Sequence, residues 1–170
     1  LGRAIAKGEV LHPDEELAAD MYDFARIYLP DQGLQQYEIS NFALSGWECR
    51  HNINYWRNGD YIGLGPAACS YWQGKRECNV PNLAKYQQLL MQGGQCPIGS
   101  SERLDEQGTA AETVILGLRL NAGVDKAAFA QRFGYTLEDA FADELSELLQ
   151  KGWLVATKEG YALAWHVRPI

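Results

Sequence analysis

The last third of the chain constrains the fold most. Residues 105–120, 125–133 and 137–151 carry apolar side chains at helical spacing and predict three helices. Two alternating runs follow, Trp153-Leu154-Val155-Ala156-Thr157 and Tyr161-Ala162-Leu163-Ala164, separated by a turn at Lys158-Glu159-Gly160. Three helices closed by a hairpin predict a small, winged-helix-like helical unit. Such a unit invites DNA binding, but its third helix carries Glu138, Asp139, Asp143, Glu144 and Glu147 against Lys151 alone. That surface repels a phosphate backbone. The whole chain agrees, with 15 Lys and Arg against 22 Asp and Glu, a net charge of -7 and a pI near 4.9. Nucleic acid is therefore not an expected partner. The unit reads as structural or protein-contacting, with Phe141, Leu145, Leu148 and Leu149 packing its core.

Upstream, Pro13-Asp14-Glu15-Glu16 starts a helix in which Leu17, Met21, Phe24, Ala25 and Tyr28 form the apolar stripe, and Pro30-Asp31-Gln32-Gly33 ends it. Gln36 to Phe42 alternates, placing Tyr37 and Ile39 on one face and Glu38 and Ser40 on the other. This predicts one strand with the helix laid over it, an α/β layer. From Leu44 to about Gly74 the periodicity fails, and the segment is rich in Trp, Tyr, Asn and Gly, which points to a functional loop. Asn82 to Gln92 predicts a short helix broken by Gly93-Gly94-Gln95-Cys96-Pro97, and Ser100-Ser101-Glu102-Arg103 reads as a connector. No run approaches the roughly 20 apolar residues of a bilayer-spanning helix, and the N-terminus lacks a signal peptide's apolar core. The expectation is a cytoplasmic protein. Because the first residue is Leu and a helical pattern begins at once, the chain is also expected to be part of something longer.

Cys49, Cys69, Cys78 and Cys96 have no C-x-x-C pair among them and specify no metal site; they are expected to be reduced thiols, mostly buried. His51 stands in the aromatic central segment with Tyr55 four residues on and Trp56 beside it. An imidazole there can be an acid-base group or a ligand to iron or zinc, but the residues alone favour a loop histidine hydrogen-bonded to Asn52 or to backbone. The small residues of Gly63-Leu64-Gly65-Pro66-Ala67-Ala68 suit either a tight backbone crossing or a flat ligand lying against the main chain.

Three stretches taken together, Gln36-Tyr37-Glu38-Ile39-Ser40-Asn41-Phe42-Ala43, Cys49-Arg50-His51-Asn52-Ile53-Asn54-Tyr55-Trp56 and Asp60-Tyr61-Ile62-Gly63-Leu64-Gly65, resemble the C-terminal half of the HemW family. These are radical-SAM haem chaperones related to oxygen-independent coproporphyrinogen III oxidase. The resemblance implies an α/β fold: the last strand-helix units of a partial (β/α) barrel over residues 1–98, then the helical, winged-helix-like C-terminal domain over 105–170. It implies haem binding through the H-N-x-x-Y pattern at His51, Asn52 and Tyr55, with His51 as a haem-iron ligand and Tyr55 and Trp56 over a porphyrin face. Gly63, Gly65, Ala67 and Ala68 correspond to the segment near the adenine of S-adenosylmethionine. No residue of the chain is expected to be catalytic. The C-x-x-x-C-x-x-C loop that holds the family's [4Fe-4S] cluster is not in this sequence, so S-adenosylmethionine and the cluster are implied for a longer parent. Cys69 stands where relatives commonly carry His. The implied function is haem delivery to acceptor proteins such as respiratory enzymes, with membrane association only through those partners. The competing expectation is a coproporphyrinogen III oxidase-like radical-SAM oxidoreductase.

Overall fold

The structure, a computed structural model, describes residues 2–11, 14–92 and 96–168. Pro13 and Gly93-Gly94-Gln95, expected to start one helix and end another, lie outside the described residues. The architecture is mixed α/β, as the sequence predicts, and the described residues hold seven α-helices and three small antiparallel sheets. No helix among them is long and apolar enough to cross a membrane. The chain divides into two compact units, Leu1–Glu48 with Trp165–Ile170, and Cys49–Ala164.

The first unit contains α1 (Gly2–Ala6), α2 (Glu15–Asp31), β1 (Gln35–Glu38) and β2 (Asn41–Ala43). Asp14 caps α2 by accepting the Leu17 N–H at 3.1 Å, and Glu15 and Glu16 meet the positive end of the helix dipole. Residues 36–42, expected as a single strand, form a hairpin: β1 pairs antiparallel with β2, Gln36 facing Phe42. The reversal is local. The Glu38 carboxylate folds back to accept the Ser40 N–H at 3.0 Å and the Asn41 side-chain amide, a bond that competes with extension of the strand. The neighbours Glu38 and Ile39 are consequently both buried, and the expected alternation is lost.

The face of α2 that meets this hairpin also differs from expectation. Tyr22 donates its hydroxyl to Ile39 O at 2.6 Å. Arg26, only 7% exposed, stacks 3.5 Å over the Trp165 ring and donates to Trp165 O at 2.9 Å. The apolar stripe points elsewhere: Leu17, Met21, Phe24 and Tyr28 are exposed. A two-stranded hairpin is too narrow to cover it.

The second unit contains α3 (Arg50–Trp56), β3 (Cys69–Trp72), β4 (Lys75–Asn79), α4 (Leu83–Met91) and β5 (Ile98–Arg103), followed by α5 (Glu106–Gly117), β6 (Val124–Asp125), α6 (Lys126–Phe133), α7 (Leu137–Gln150), β7 (Leu154–Ala156) and β8 (Gly160–Leu163). Residues 100–103, expected as a connector, belong to β5, which completes the sheet β3-β4-β5. Every residue of β5 is exposed, so no buried face marks it in the sequence; its order comes from the ladder with β4.

The three helices and the hairpin of the last third appear within three residues of their expected limits, with β6 adding a third strand in the order β6-β8-β7. Thr136 and Asp139 close a capping box at the start of α7. Ala110, Val124, Phe129, Leu137, Leu145, Leu154 and Tyr161 form the core, and Phe141, Leu148 and Leu149 pack against it. The acidic side chains of α7 are partly engaged, Glu138 with Lys126 at 2.7 Å and Glu147 with Lys151.

Candidate functional site

The central segment expected to be an irregular loop contains helix α3. His51 and Tyr55 are four residues apart on it and therefore share a face. Their rings meet edge to face, 4.6 Å between centroids, with His51 exposed and Tyr55 half-buried. Tyr55 in turn meets Tyr61 at 4.3 Å, and Tyr61 lies 6.4 Å from Tyr71, so four aromatic rings run in file from the solvent inward to a residue 3% exposed. Asn52 follows His51 on the helix and is half-buried. Trp56, expected beside Tyr55 over a porphyrin face, takes a different direction. Its ring stacks under Arg119 at 4.3 Å, and it borders a cavity of about 590 Å³ with Gly117, Leu120, Val124 and Phe129. Tyr55 alone of that pair accompanies His51.

A seven-residue helix has too few internal hydrogen bonds to hold itself in water, and Cys49 at its N-cap makes no side-chain capping bond. Its C-terminal end is fastened instead. Asn58, 3% exposed and at φ 51°, donates to Glu112 Oε2 at 3.2 Å and to Thr113 Oγ1 at 3.1 Å. Arg132 donates to Asn58 O at 2.9 Å and Arg57 O at 3.2 Å. Glu112 Oε1 accepts from Arg76 at 2.8 Å, and this hydrogen bond, stronger than the opposing effect of burial, holds the Arg76 guanidinium above its ordinary range. Sequence reading missed Asn58, Arg76, Glu112 and Arg132. They lie up to 74 positions apart, and no local pattern links them.

The segment expected near an adenine crosses the hairpin closely. A Cβ on Gly63 would lie 2.1 Å from Cys69 O, and the Gly63 N–H donates to Ser70 Oγ at 2.9 Å. Gly65 at φ 105° and Ala67 at φ 60° make the turn, which Asn79 holds through its side chain on Gly65 O and its N–H on Ala68 O, both at 2.9 Å. Gly63 thus meets the demand of a backbone crossing, and Gly65, with nothing within 4 Å of its would-be Cβ, remains open to a neighbour.

The cysteines depart from expectation. Cys69 and Cys78 face each other across β3 and β4 and form a disulfide, while Cys49 and Cys96 are free and exposed. Direct opposition in the ladder brings the two thiols together, a juxtaposition that spacing along the chain does not reveal. Among the described residues no three His, Cys, Asp or Glu side chains are arranged to hold a metal ion.

Residues 104–166 match the HemN C-terminal domain. Over 146 residues, 86% of the chain, the sequence is 37% identical to a Bacillus subtilis protein named "Heme chaperone HemW", of which it covers 38%. It is 42% identical over 122 residues to the Synechocystis protein of that name, covering 69% of this chain and 29% of the relative. A mouse relative, "Radical S-adenosyl methionine domain-containing protein 1, mitochondrial", is 34% identical over 95% of the chain and 39% of its own length. The fold is shared with coproporphyrinogen III oxidase (HemN) from Escherichia coli, at a TM-score of 0.69, 19% identity and coverage of 89% of this chain and 38% of that one. The chain spans about two-fifths of the length of the curated relatives that it matches over most of its length.

Proposed function

We propose, on the premise that the chain belongs to the HemW and HemN family, that it supplies the haem-presenting part of a haem chaperone. His51 is the iron ligand in this reading, with Tyr55 beside it against the porphyrin edge and Asn52 completing the motif. The observation that carries the proposal is the placement of His51 and Tyr55 on one face of α3, rings 4.6 Å apart and His51 open to solvent. An exposed imidazole on a helix anchored at its C-terminal end could hold a haem iron, and the aromatic file behind it would offer an apolar contact. Bound haem would supply the redox-active iron that the chaperone carries; the residues of this chain bind it, orient it and limit water at one side.

Residues 1–98 contribute the barrel-derived portion in this reading, and residues 105–170 form a module that steadies α3 and contacts protein partners. S-adenosylmethionine and a [4Fe-4S] cluster belong to the longer parent, with Gly63, Gly65, Ala67 and Ala68 beside the adenine. The setting is cytoplasmic, and the acceptors are haem-requiring proteins such as respiratory enzymes. The described residues do not suit the cluster: two of the four cysteines are joined to each other and the other two stand apart, exposed.

Titration of the purified chain with hemin tests the reading. A Soret shift is expected in the wild type, weakened in His51→Ala. A spectrum unchanged by that substitution would remove His51 as ligand. The alternative, a coproporphyrinogen III oxidase-like oxidoreductase, has the shared fold in its favour. It requires the parent to turn over a porphyrinogen when supplied with S-adenosylmethionine and a reductant.

A further inference from the structure

We infer that Glu112 is a positioning residue for the His51 face of α3, an assignment that rests on the haem-binding reading of that face. The geometry is a two-armed anchor. One carboxylate oxygen takes the Asn58 amide at the C-terminal end of α3, and the other takes Arg76 at 2.8 Å. Arg76 reaches the far end of the aromatic file, lying 5.4 Å over the Tyr71 ring. One side chain on α5 therefore holds both the helix that carries His51 and Tyr55 and the rings on which Tyr55 rests.

Two features make this anchor decisive rather than incidental. The first is that α3 spans seven residues and lacks a side-chain cap at Cys49, so its direction is set by tertiary contacts. The second is the backbone of Asn58, held at φ 51°, a left-handed conformation that most L-residues avoid and that Asn tolerates better. That turn directs the Asn58 amide toward α5, and Glu112 is the charged acceptor that receives it; Thr113 Oγ1 is the neutral one. Arg132, which donates to the same backbone, steadies the turn as well. Loss of Glu112 would leave Asn58 one acceptor and release Arg76 from its carboxylate, loosening α3 and the rings together.

The test uses the full chain carrying Glu112→Ala, Glu112→Gln or Asn58→Asp. Asn58→Asp is nearly isosteric and turns the donor into a carboxylate facing Glu112. Hydrogen exchange of amides 50–58 should rise at least tenfold in Glu112→Ala and Asn58→Asp. Hemin should bind about tenfold more weakly to both, with an altered Soret band, and Glu112→Gln should recover part of each effect. Wild-type exchange over 50–58 together with a wild-type hemin spectrum in a folded Glu112→Ala protein would overturn the inference. If Glu112→Ala does not fold, Asn58→Asp decides by the same two readouts. A hemin spectrum indifferent to His51→Ala would sink the haem reading alone, since the exchange measurement judges the anchor without haem.

Discussion

Replacing Gly63 by Ala separates the two readings of the glycine-rich turn. The backbone of Gly63 is not in the left-handed region, so an alanine there is not strained by its φ angle. Its Cβ would nevertheless lie 2.1, 2.7 and 3.0 Å from the carbonyl O, carbonyl C and N of Cys69. Those atoms are main chain in a paired strand, tied to β4 by the Cys69–Cys78 disulfide and by the ladder. They cannot rotate away as a side chain would. Overpacking costs about 1 to 3 kcal/mol, and a clash with pinned backbone belongs at about 3 kcal/mol. For a domain of this size that lowers Tm by roughly 12 °C. Gly65→Ala offers the contrast: nothing lies within 4 Å of its Cβ, and the φ of 105° alone gives a cost of about 1 to 2 kcal/mol. Thermal and urea unfolding of the ligand-free chain, followed by circular dichroism, should therefore rank Gly63→Ala below Gly65→Ala, and both below wild type. If Gly63→Ala melts within about 0.5 kcal/mol of wild type, the reasoning fails, and a loss confined to S-adenosylmethionine affinity in the parent would favour the adenine reading instead.

Reducing the Cys69–Cys78 disulfide, which closes a loop of sequence separation 9, should cost the Cys49–Ala164 unit about 2 to 3 kcal/mol through greater freedom of the unfolded chain. A urea midpoint indifferent to dithiothreitol would refute this, and the Cys69→Ser, Cys78→Ser double variant should reproduce the reduced midpoint. The α7 carboxylates should make the module acid-sensitive: Glu138 is held below its ordinary 4.5 by hydrogen bonds from Lys126 and then Tyr161, and Asp139 and Glu147 are lowered by Thr136 and Lys151. A depressed folded value means stability that is present above the ordinary value and lost as pH falls through the folded one, so the loss belongs below about pH 4.5. These groups are largely exposed, so the loss should be small and should shrink in high salt; a Tm profile flat from pH 6 to 3 would contradict it. Thr136→Ala, which dismantles the capping box, should lower stability by about 1 kcal/mol in urea unfolding, and an unchanged midpoint would show that the cap contributes nothing.

Legibility in the sequence followed how each element is stabilised. Helices α5, α6 and α7 were readable because their packed positions repeat at helical spacing around one core, from Ala110 to Leu145. The hairpin β7–β8 was readable because a turn separates two alternating runs. β5 was not, since an exposed strand leaves no apolar alternation. α3 was missed because His, Asn, Asn and Tyr at its positions give no hydrophobic stripe, although His51 and Tyr55 at i and i+4 were a signal for a shared face. The stripe of α2 is legible as a pattern but not as a contact, since Tyr22 meets Ile39 of the hairpin and Arg26 meets Trp165.

The sequence by itself carried the class of fold, the helices and hairpin of the last third and the family resemblance, because capping, periodicity and motif residues are local properties of the chain. Tertiary structure alone decided which side chains meet: Trp56 with Arg119 instead of Tyr55, Cys69 with Cys78, Gly63 against the backbone of β3, and Asn58 with Glu112. Each of those contacts depends on two segments being brought together by packing and pairing, and the energy of such a contact is written in neither segment separately.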